Sequence, residues 1–294
     1  MIAPASPTLI DPALLRAWPL PSPEAARGKE ERGRVLVVAG SPEVPGAALL
    51  AGEAALRAGA GKLQVGAPSE VATALAIALP EAKVMPLPTT LAGACKSTPA
   101  LEHACARADG LLIGAGMDDT PTLRRLVQRL SASAECTAVA DAGALGVFAQ
   151  QHAFNAVTIL TPHAGEMAAL IDASVEDVQE HAADVALRFA AQRRVVLVLK
   201  GPETWIASPD GELWLHTGGC RGLGTSGSGD VLGGIIAGLV ARGTGPTRAA
   251  VWGVYLHGQA GEVLARSVGR VGFLARELAS RVPVLLDDLA PTVA

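Results

Sequence analysis

The chain is short of aromatic residues, of basic excess, of cysteine motifs and of long apolar runs, and each shortage removes a class of function. Aromatic residues make up 3% of its 294, with one Tyr beside four Trp and four Phe, too few for the stacking platform that single-stranded nucleic acid needs. Its 24 basic residues are outnumbered by 28 acidic ones, giving a formal net charge of −4, so the positive surface of a nucleic-acid binder is missing. Any phosphate binding must therefore be local. The four cysteines, Cys95, Cys105, Cys136 and Cys220, form no CxxC and have no histidine pair at zinc spacing. Neither a structural zinc site nor a disulfide framework is expected. Apolar runs stop at about ten residues, as over 231–240, half of what a bilayer requires. Asp11, Arg16 and several prolines interrupt the N-terminus before a secretory core forms. These absences predict a soluble, cytoplasmic protein with no nucleic-acid and no membrane partner.

What the chain does have is apolar bulk: 50% of it is hydrophobic, ample for the core of one large α/β domain. Residues 1–32 hold six prolines and end in the charged run GKEERGR, which predicts a short helix over 11–18 inside a solvated lead-in. The folded domain is expected over 33–294. Short apolar runs at 34–39, 62–66, 83–86, 110–113, 137–140, 157–160 and 195–199 read as strands. Between them, helical patterns fall at 47–58, 70–79, 122–130, 166–171 and 175–193, with a loop over 88–97. Strands apolar on both faces and alternating with helices predict a mainly parallel sheet covered on both sides, a three-layer α/β/α fold. Residues 204–216, TWIASPDGELWLH, have two β-rich arms around Pro209, Asp210 and Gly211 and read as a hairpin. Helices are expected again at 231–241, 247–267 and 272–281.

In an open parallel sheet, ligands bind beyond the carboxyl ends of the strands, and every unusual cluster here falls at such an end. Gly114 to Gly116, Asp141, His163 with Glu166, Lys200 to Thr204, and Gly229 with Asp230 would share one rim. The segment GLGTSGSGDVLGGIIAGLVARG, residues 222–243, is the most specific of these. Gly222, Gly224, Gly227 and Gly229 precede Asp230, and a helix opening at Ser228 or Gly229 leaves backbone N–H groups without intrahelical partners, an anion cradle. Glycine admits close approach and positive φ, while Ser226 and Ser228 can donate or cap without blocking entry. No Lys follows the last glycine, so this is not a P-loop. A carboxylate beside an anion site needs a task, and Asp230 suits either taking a proton from an attacking hydroxyl or holding a metal.

The other rim residues keep two readings each. His163 is a ligand-free helix start or a ligand contact, and its place at a strand end favours contact. Glu166 is a first-turn acid or, as favoured here, a water-mediated metal contact. Asp141 caps the next turn or assists substrate binding. Lys200 puts a charge near phosphate or snorkels at a sheet edge, and the backbone after it would form a small loop against a nucleotide. Gly40, Ser41 and the PGAA of 45–48 form a second small-residue opening.

RVLVVAGSPEVPGAALLAGEAALRAGAGKL, LLIGAGM, ADAGAL, LTPHAGE, LKGPET and the 222–243 segment occur in this order. On these motifs the chain resembles the ADP-dependent (S)-NAD(P)H-hydrate dehydratases, members of the ribokinase-like superfamily, over about residues 33–283. Many of those proteins carry an N-terminal epimerase domain, and the chain is similar to the stand-alone dehydratases. The resemblance implies a hydro-lyase that restores hydrated NADH or NADPH while ADP becomes AMP and phosphate. It implies that Ala47, Gly116, His163 and Asp230 contact the hydrate, and that Lys200, Gly201, Pro202, Glu203, Thr204 and Gly229 hold the nucleotide. It also implies that Asp230, with Gly227, Ser228 and Gly229, carries the catalysis. Mg²⁺ at the phosphates, a homotetramer and a separate NAD(P)H-hydrate epimerase as partner are further implications. Ser228 stands where Thr is common, Ala164 where Pro is, and Cys220 and Arg221 where Asn and Pro are frequent. A ribokinase-like kinase of a small alcohol or vitamin precursor would share the glycine turn and Asp230, as would a non-catalytic nucleotide sensor. TPHAGE and LKGPET favour the dehydratase over the kinase, and the intact Asp230 argues against the sensor.

Overall fold

The computed structural model describes residues 6–22, 28–150 and 158–289. The chain opens with β1 (Thr8–Leu9) and α1 (Pro12–Ala17), which begins where the Asp11 carboxylate accepts the Leu14 N–H at 2.8 Å. This segment is not solvated as its prolines and charges predict. β1 pairs with a strand more than two hundred residues away, Leu15 is fully buried, and the Trp18 ring stacks on Trp214 with centroids 5.9 Å apart. Burying Leu15 and the aromatic pair outweighs the extended bias of the prolines.

The alternation then runs as β2 (Arg34–Val38), α2 (Gly46–Arg57), β3 (Lys62–Pro68), α3 (Ser69–Ala78) and β4 (Ala82–Leu87). The loop over 88–97 contains one antiparallel bridge, Thr89 with Cys95. It leads to α4 (Pro99–Ala106), a helix the sequence pattern does not reveal, started by Thr98 accepting the Leu101 N–H at 3.2 Å. Next come β5 (Gly110–Ile113), α5 (Pro121–Ser133), β6 (Ala138–Ala140), a 3₁₀ turn (Ala142–Ala144) and α6 (Leu145–Gln150). The strand expected over 157–160 appears as β7 (Ile159–Leu160), and Val157 lies outside the described residues. After α7 (Ala164–Ile171), the single helix expected over 175–193 is two, α8 (Val175–Glu180) and α9 (Ala182–Arg193). The break falls at His181, whose backbone leaves helical space at φ −115 and ψ 29. Its N–H and Nδ1 both approach the Asp177 carbonyl.

β8 (Val196–Leu199) precedes the expected hairpin, β9 (Thr204–Ala207) and β10 (Leu213–His216), which turns through Gly211 at φ +91. The chain ends in α10 (Ser228–Ala241), α11 (Pro246–Ser267), α12 (Ala275–Ala279) and α13 (Val282–Leu289). The last two replace the helix expected over 272–281. Gly272 sits at φ +96, outside helical space, and the start moves to Leu274, whose N–H meets Glu277 at 2.6 Å.

Among the described residues ten strands form one sheet in the order β1-β10-β9-β8-β7-β6-β5-β2-β3-β4, in which β9 alone runs antiparallel to its neighbours. Along β2, Val35, Val37 and Ala39 enter one core while Leu36 and Val38 enter the other, and β8 alternates in the same way. Burial on both faces is why these strands read as unbroken apolar runs. One core joins the sheet to α2, α10 and α11, the other to α4, α5 and α7 to α9, giving the three layers the sequence predicts.

α10 is apolar on every side and is buried along most of its length. It meets α2 backbone to backbone: a Cβ on Gly234 would lie 2.3 Å from the Ala51 carbonyl oxygen, and one on Gly238 would lie 2.4 Å from that of Ala55. Only glycine permits this approach. The contact sets the N-termini of α2 and α10 side by side at the carboxyl rim of the sheet.

Candidate active site

Lys200 leaves β8 with its N–H on the Pro162 carbonyl at 2.8 Å, which ties the ends of β7 and β8 together. Its ammonium turns inward to Asp141 Oδ1 at 3.0 Å and lies 3.9 Å from Glu166 Oε2. The Lys200 side chain is 21% exposed, so it does not snorkel. Asp141, at the end of β6, is buried and makes no side-chain cap to the 3₁₀ turn after it. Its Oδ1 instead accepts the Thr161 hydroxyl at 2.8 Å. Its role is therefore to hold Lys200 against the first turn of α10, where a Cβ on Gly229 would lie 3.5 Å from Nζ.

α10 starts from Gly227, in the left-handed region at φ +87, with no side-chain cap. The Ser228 N–H is already taken, donating to the Thr225 carbonyl at 3.2 Å. The Ser228 hydroxyl lies 3.0 Å from His257 Nε2. Gly229 and Asp230 occupy the second and third positions of the helix, where N–H groups have no intrahelical acceptor. The N–H groups that an anion could meet here are thus those of Gly229 and Asp230. Burial pushes the Asp230 carboxyl up to about 6, the negative charge of Asp141 adds to the rise, and Lys200 opposes it. A carboxylate poised this close to neutrality suits a general base.

His163 is the N-cap of α7. Its Nδ1 accepts the N–H groups of Gly165 and Glu166 at 3.0 and 3.2 Å, and its own N–H donates to Glu166 Oε2 at 2.8 Å. Two backbone donors on Nδ1 require that atom to be bare, so the ring proton of the neutral side chain sits on Nε2. The ring is 60% exposed, and Nε2 lies 3.6 Å from Glu166 Oε2. Of its two readings, the structure shows the helix start. A cavity of about 380 Å³ opens beside Glu166, walled by Asp119, Arg124 and Gly143.

Across the rim, Gly116 at φ +65 fits under α2, where a Cβ would lie 2.5 Å from that of Ala47. Ala47 is itself buried and stands at the second position of α2, where the N–H has no intrahelical acceptor. Gly201, Pro202 and Glu203 are exposed between β8 and β9, and Thr204 opens β9 opposite His216. They form the outer lip beside Lys200. Among the described residues no three His, Cys, Asp or Glu side chains converge as a metal cage. Two participants escape the sequence reading. Thr161 lies inside LTPHAGE without obvious chemistry, and His257 is hidden in an apolar helix, where its one signal is the glycine that follows it.

The chain is 50% identical over 278 residues to the ADP-dependent (S)-NAD(P)H-hydrate dehydratase of Xanthomonas campestris, spanning 94% of this chain and 95% of that one. The crystal structure of the ADP/ATP-dependent NAD(P)H-hydrate dehydratase from Bacillus subtilis, co-crystallized with ATP and Mg²⁺, superposes with a TM-score of 0.84 at 33% identity, over 96% of this chain and 99% of that one. A ribokinase-like superfamily protein from Enterococcus faecalis superposes at 0.82 with 27% identity, over 96% of each chain. Residues 35–284 match the family described as NAD(P)H-hydrate dehydratase, a span that takes in every rim residue from Gly40 to Asp230, and the chain belongs to that family.

Proposed function

We propose that this chain dehydrates the S epimer of hydrated NADH or NADPH, with ADP as co-substrate and AMP, phosphate and the restored cofactor as products. The observation that carries the reading is Asp230, a carboxylate raised to about 6 at the start of a glycine-opened helix. The hydrate's ring hydroxyl attacks the β-phosphorus of ADP, Asp230 takes the hydroxyl proton, and the bond to AMP breaks. Phosphorylation converts a poor leaving group into a good one. Phosphate then departs with the C–O electrons, the neighbouring ring carbon loses a proton, and the reduced nicotinamide is restored. The N–H groups of Gly229 and Asp230 stabilise charge on the transferring phosphoryl group. Lys200 neutralises the nucleotide, and the lip of Gly201, Pro202, Glu203 and Thr204 borders it. His163 Nε2–H and the Ala47 and Gly116 backbones orient the hydrate.

Mg²⁺ suits this donor set. It keeps several waters and binds through phosphates with one or two carboxylates rather than in a protein cage, and Glu166 would hold it through a water. When bound, Mg²⁺ supplies charge neutralisation at the phosphates. Hydration yields two epimers, so an S-specific enzyme works beside a separate epimerase. A homotetramer is the expected assembly, which sedimentation tests. Among the described residues no helix is long and apolar enough to cross a membrane. Incubation with NADH hydrate, ADP and Mg²⁺ should regenerate NADH absorbance. No recovery with ADP or ATP overturns the reading, and turnover of ATP with a small alcohol replaces it with the kinase.

A further inference from the structure

The chain between β10 and α10 has little regular structure beyond a 3₁₀ turn (Arg221–Leu223), yet it ends in the anion cradle. One face of α11 shapes it. Glu262 Oε1 accepts the Gly219 N–H at 2.9 Å, and the Cys220 thiol donates to the Gly261 carbonyl at 3.3 Å. A Cβ on Gly261 would lie 2.7 Å from the Leu223 side chain, and one on Gly258 would lie 2.3 Å from His216 Nε2. His257 completes this face. Its Nε2 lies 3.1 Å from the Ser228 carbonyl oxygen and 3.0 Å from the Ser228 hydroxyl oxygen.

The protonation of that nitrogen follows from its partners. A carbonyl oxygen only accepts, so a bare Nε2 at this distance would set lone pair against lone pair. Nε2 therefore carries the ring proton. Burial holds the His257 pKa down near 4, with Lys200 and His216 adding to the depression, so the ring is neutral and has this single proton. Shared between the two Ser228 oxygens, it makes the hydroxyl oxygen an acceptor, and the hydroxyl hydrogen is left for a third partner.

We propose that His257 is a positioning residue of the nucleotide cradle: its Nε2–H, shared by the carbonyl and hydroxyl oxygens of Ser228, directs the Ser228 hydroxyl hydrogen to a phosphate of the bound nucleoside diphosphate. This rests on reading the glycine turn as the nucleotide site. It gives Ser228, whose N–H is already used by Thr225, a reason to stand at the head of α10. It also explains a neutral histidine in the middle of an apolar helix.

The test measures ADP affinity by calorimetry, and kcat and KM for NADH hydrate, in wild type, Ser228→Ala, His257→Ala, His257→Gln and the Ser228→Ala/His257→Ala double variant. Loss of a hydrogen bond to a charged phosphate should weaken ADP roughly tenfold in Ser228→Ala and in His257→Ala. The double variant should be no worse than either single one, and KM for the hydrate should stay near wild type. His257→Gln, which retains an N–H donor, should recover most of the affinity. Additive losses in the double variant overturn the proposal. Should His257→Ala fail to fold, Ser228→Ala decides alone, since it removes one hydroxyl, and wild-type ADP affinity in it overturns the assignment. Wild-type protein that binds no ADP overturns the proposed function itself.

Discussion

Lys200 and Asp141 meet at 3.0 Å, fifty-nine residues apart in sequence, and the pair sets the charge balance under Asp230. Lys200 lowers the Asp230 pKa and Asp141 raises it. Replacing Lys200 by Met removes the opposing influence and leaves the buried carboxylate of Asp141 with the Thr161 hydroxyl. The acid limb of the kcat/KM profile, expected near pH 6 in wild type, should then move upward. Urea unfolding should show a loss of about 3 kcal/mol for stranding a buried charge. An unmoved limb would separate Asp230 from the rate.

Asp230→Asn should keep nucleotide affinity and lose at least roughly a hundredfold in turnover, the lower range for a positioned general base. Near-wild-type turnover would remove Asp230 from that role.

The same substitution has a pH signature in stability. Asp230 is raised in the folded protein from its usual 3.8 to about 6, so between those values the folded state binds more protons than the unfolded state, and stability falls as pH rises through the interval. Asparagine removes that loss. Asp230→Asn should therefore raise Tm at pH 8 and leave it nearly unchanged at pH 4. An equal gain at both pH values would mean that the carboxylate is not strained by burial.

His163 has two jobs that one pair of variants separates. His163→Ala should cost about 1 kcal/mol by removing the α7 cap and should raise KM for the hydrate. His163→Asn restores a side chain that caps helices well but lacks the imidazole Nε2–H, so stability should return while KM stays high. Recovery of both would limit His163 to capping.

Gly238→Ala tests the packing behind the site. Its Cβ would stand 2.4 Å from the Ala55 carbonyl oxygen, a backbone atom with no rotamer to adopt. Chemical denaturation should show a loss at the upper end of about 1–3 kcal/mol, the usual overpacking range, or beyond it.

Much of this architecture was legible because parallel strands buried on both faces leave continuous apolar runs, and because the rim chemistry sits where each run stops. The hairpin at Asp210 and Gly211 and the helix after Asp230 followed from local turn chemistry. The parts that were not legible depend on contacts distant in sequence. β1 has no pattern of its own and exists because β10 accepts it, and Leu15 and Trp18 look like lead-in residues until Trp214 and Trp252 are placed beside them. α4 is only eight residues long, too short for a clear period. At the site, Asp141 could be weighed between capping and binding but not resolved, since its partners Thr161 and Lys200 come from two other strand ends. The engagement of Ser228 with Thr225 and His257 is likewise a matter of angles that spacing does not encode.

The bare contact of Ala51 and Ala55 on Gly234 and Gly238 has a mechanical consequence. Side chains between two helices can change rotamer to absorb a displacement; a peptide carbonyl pressed on a glycine cannot. The helix that offers the Ala47 amide and the helix that carries Asp230 therefore act as one stiff wall. The spacing between the Ala47 amide and the Asp230 carboxylate is thereby set once, at folding.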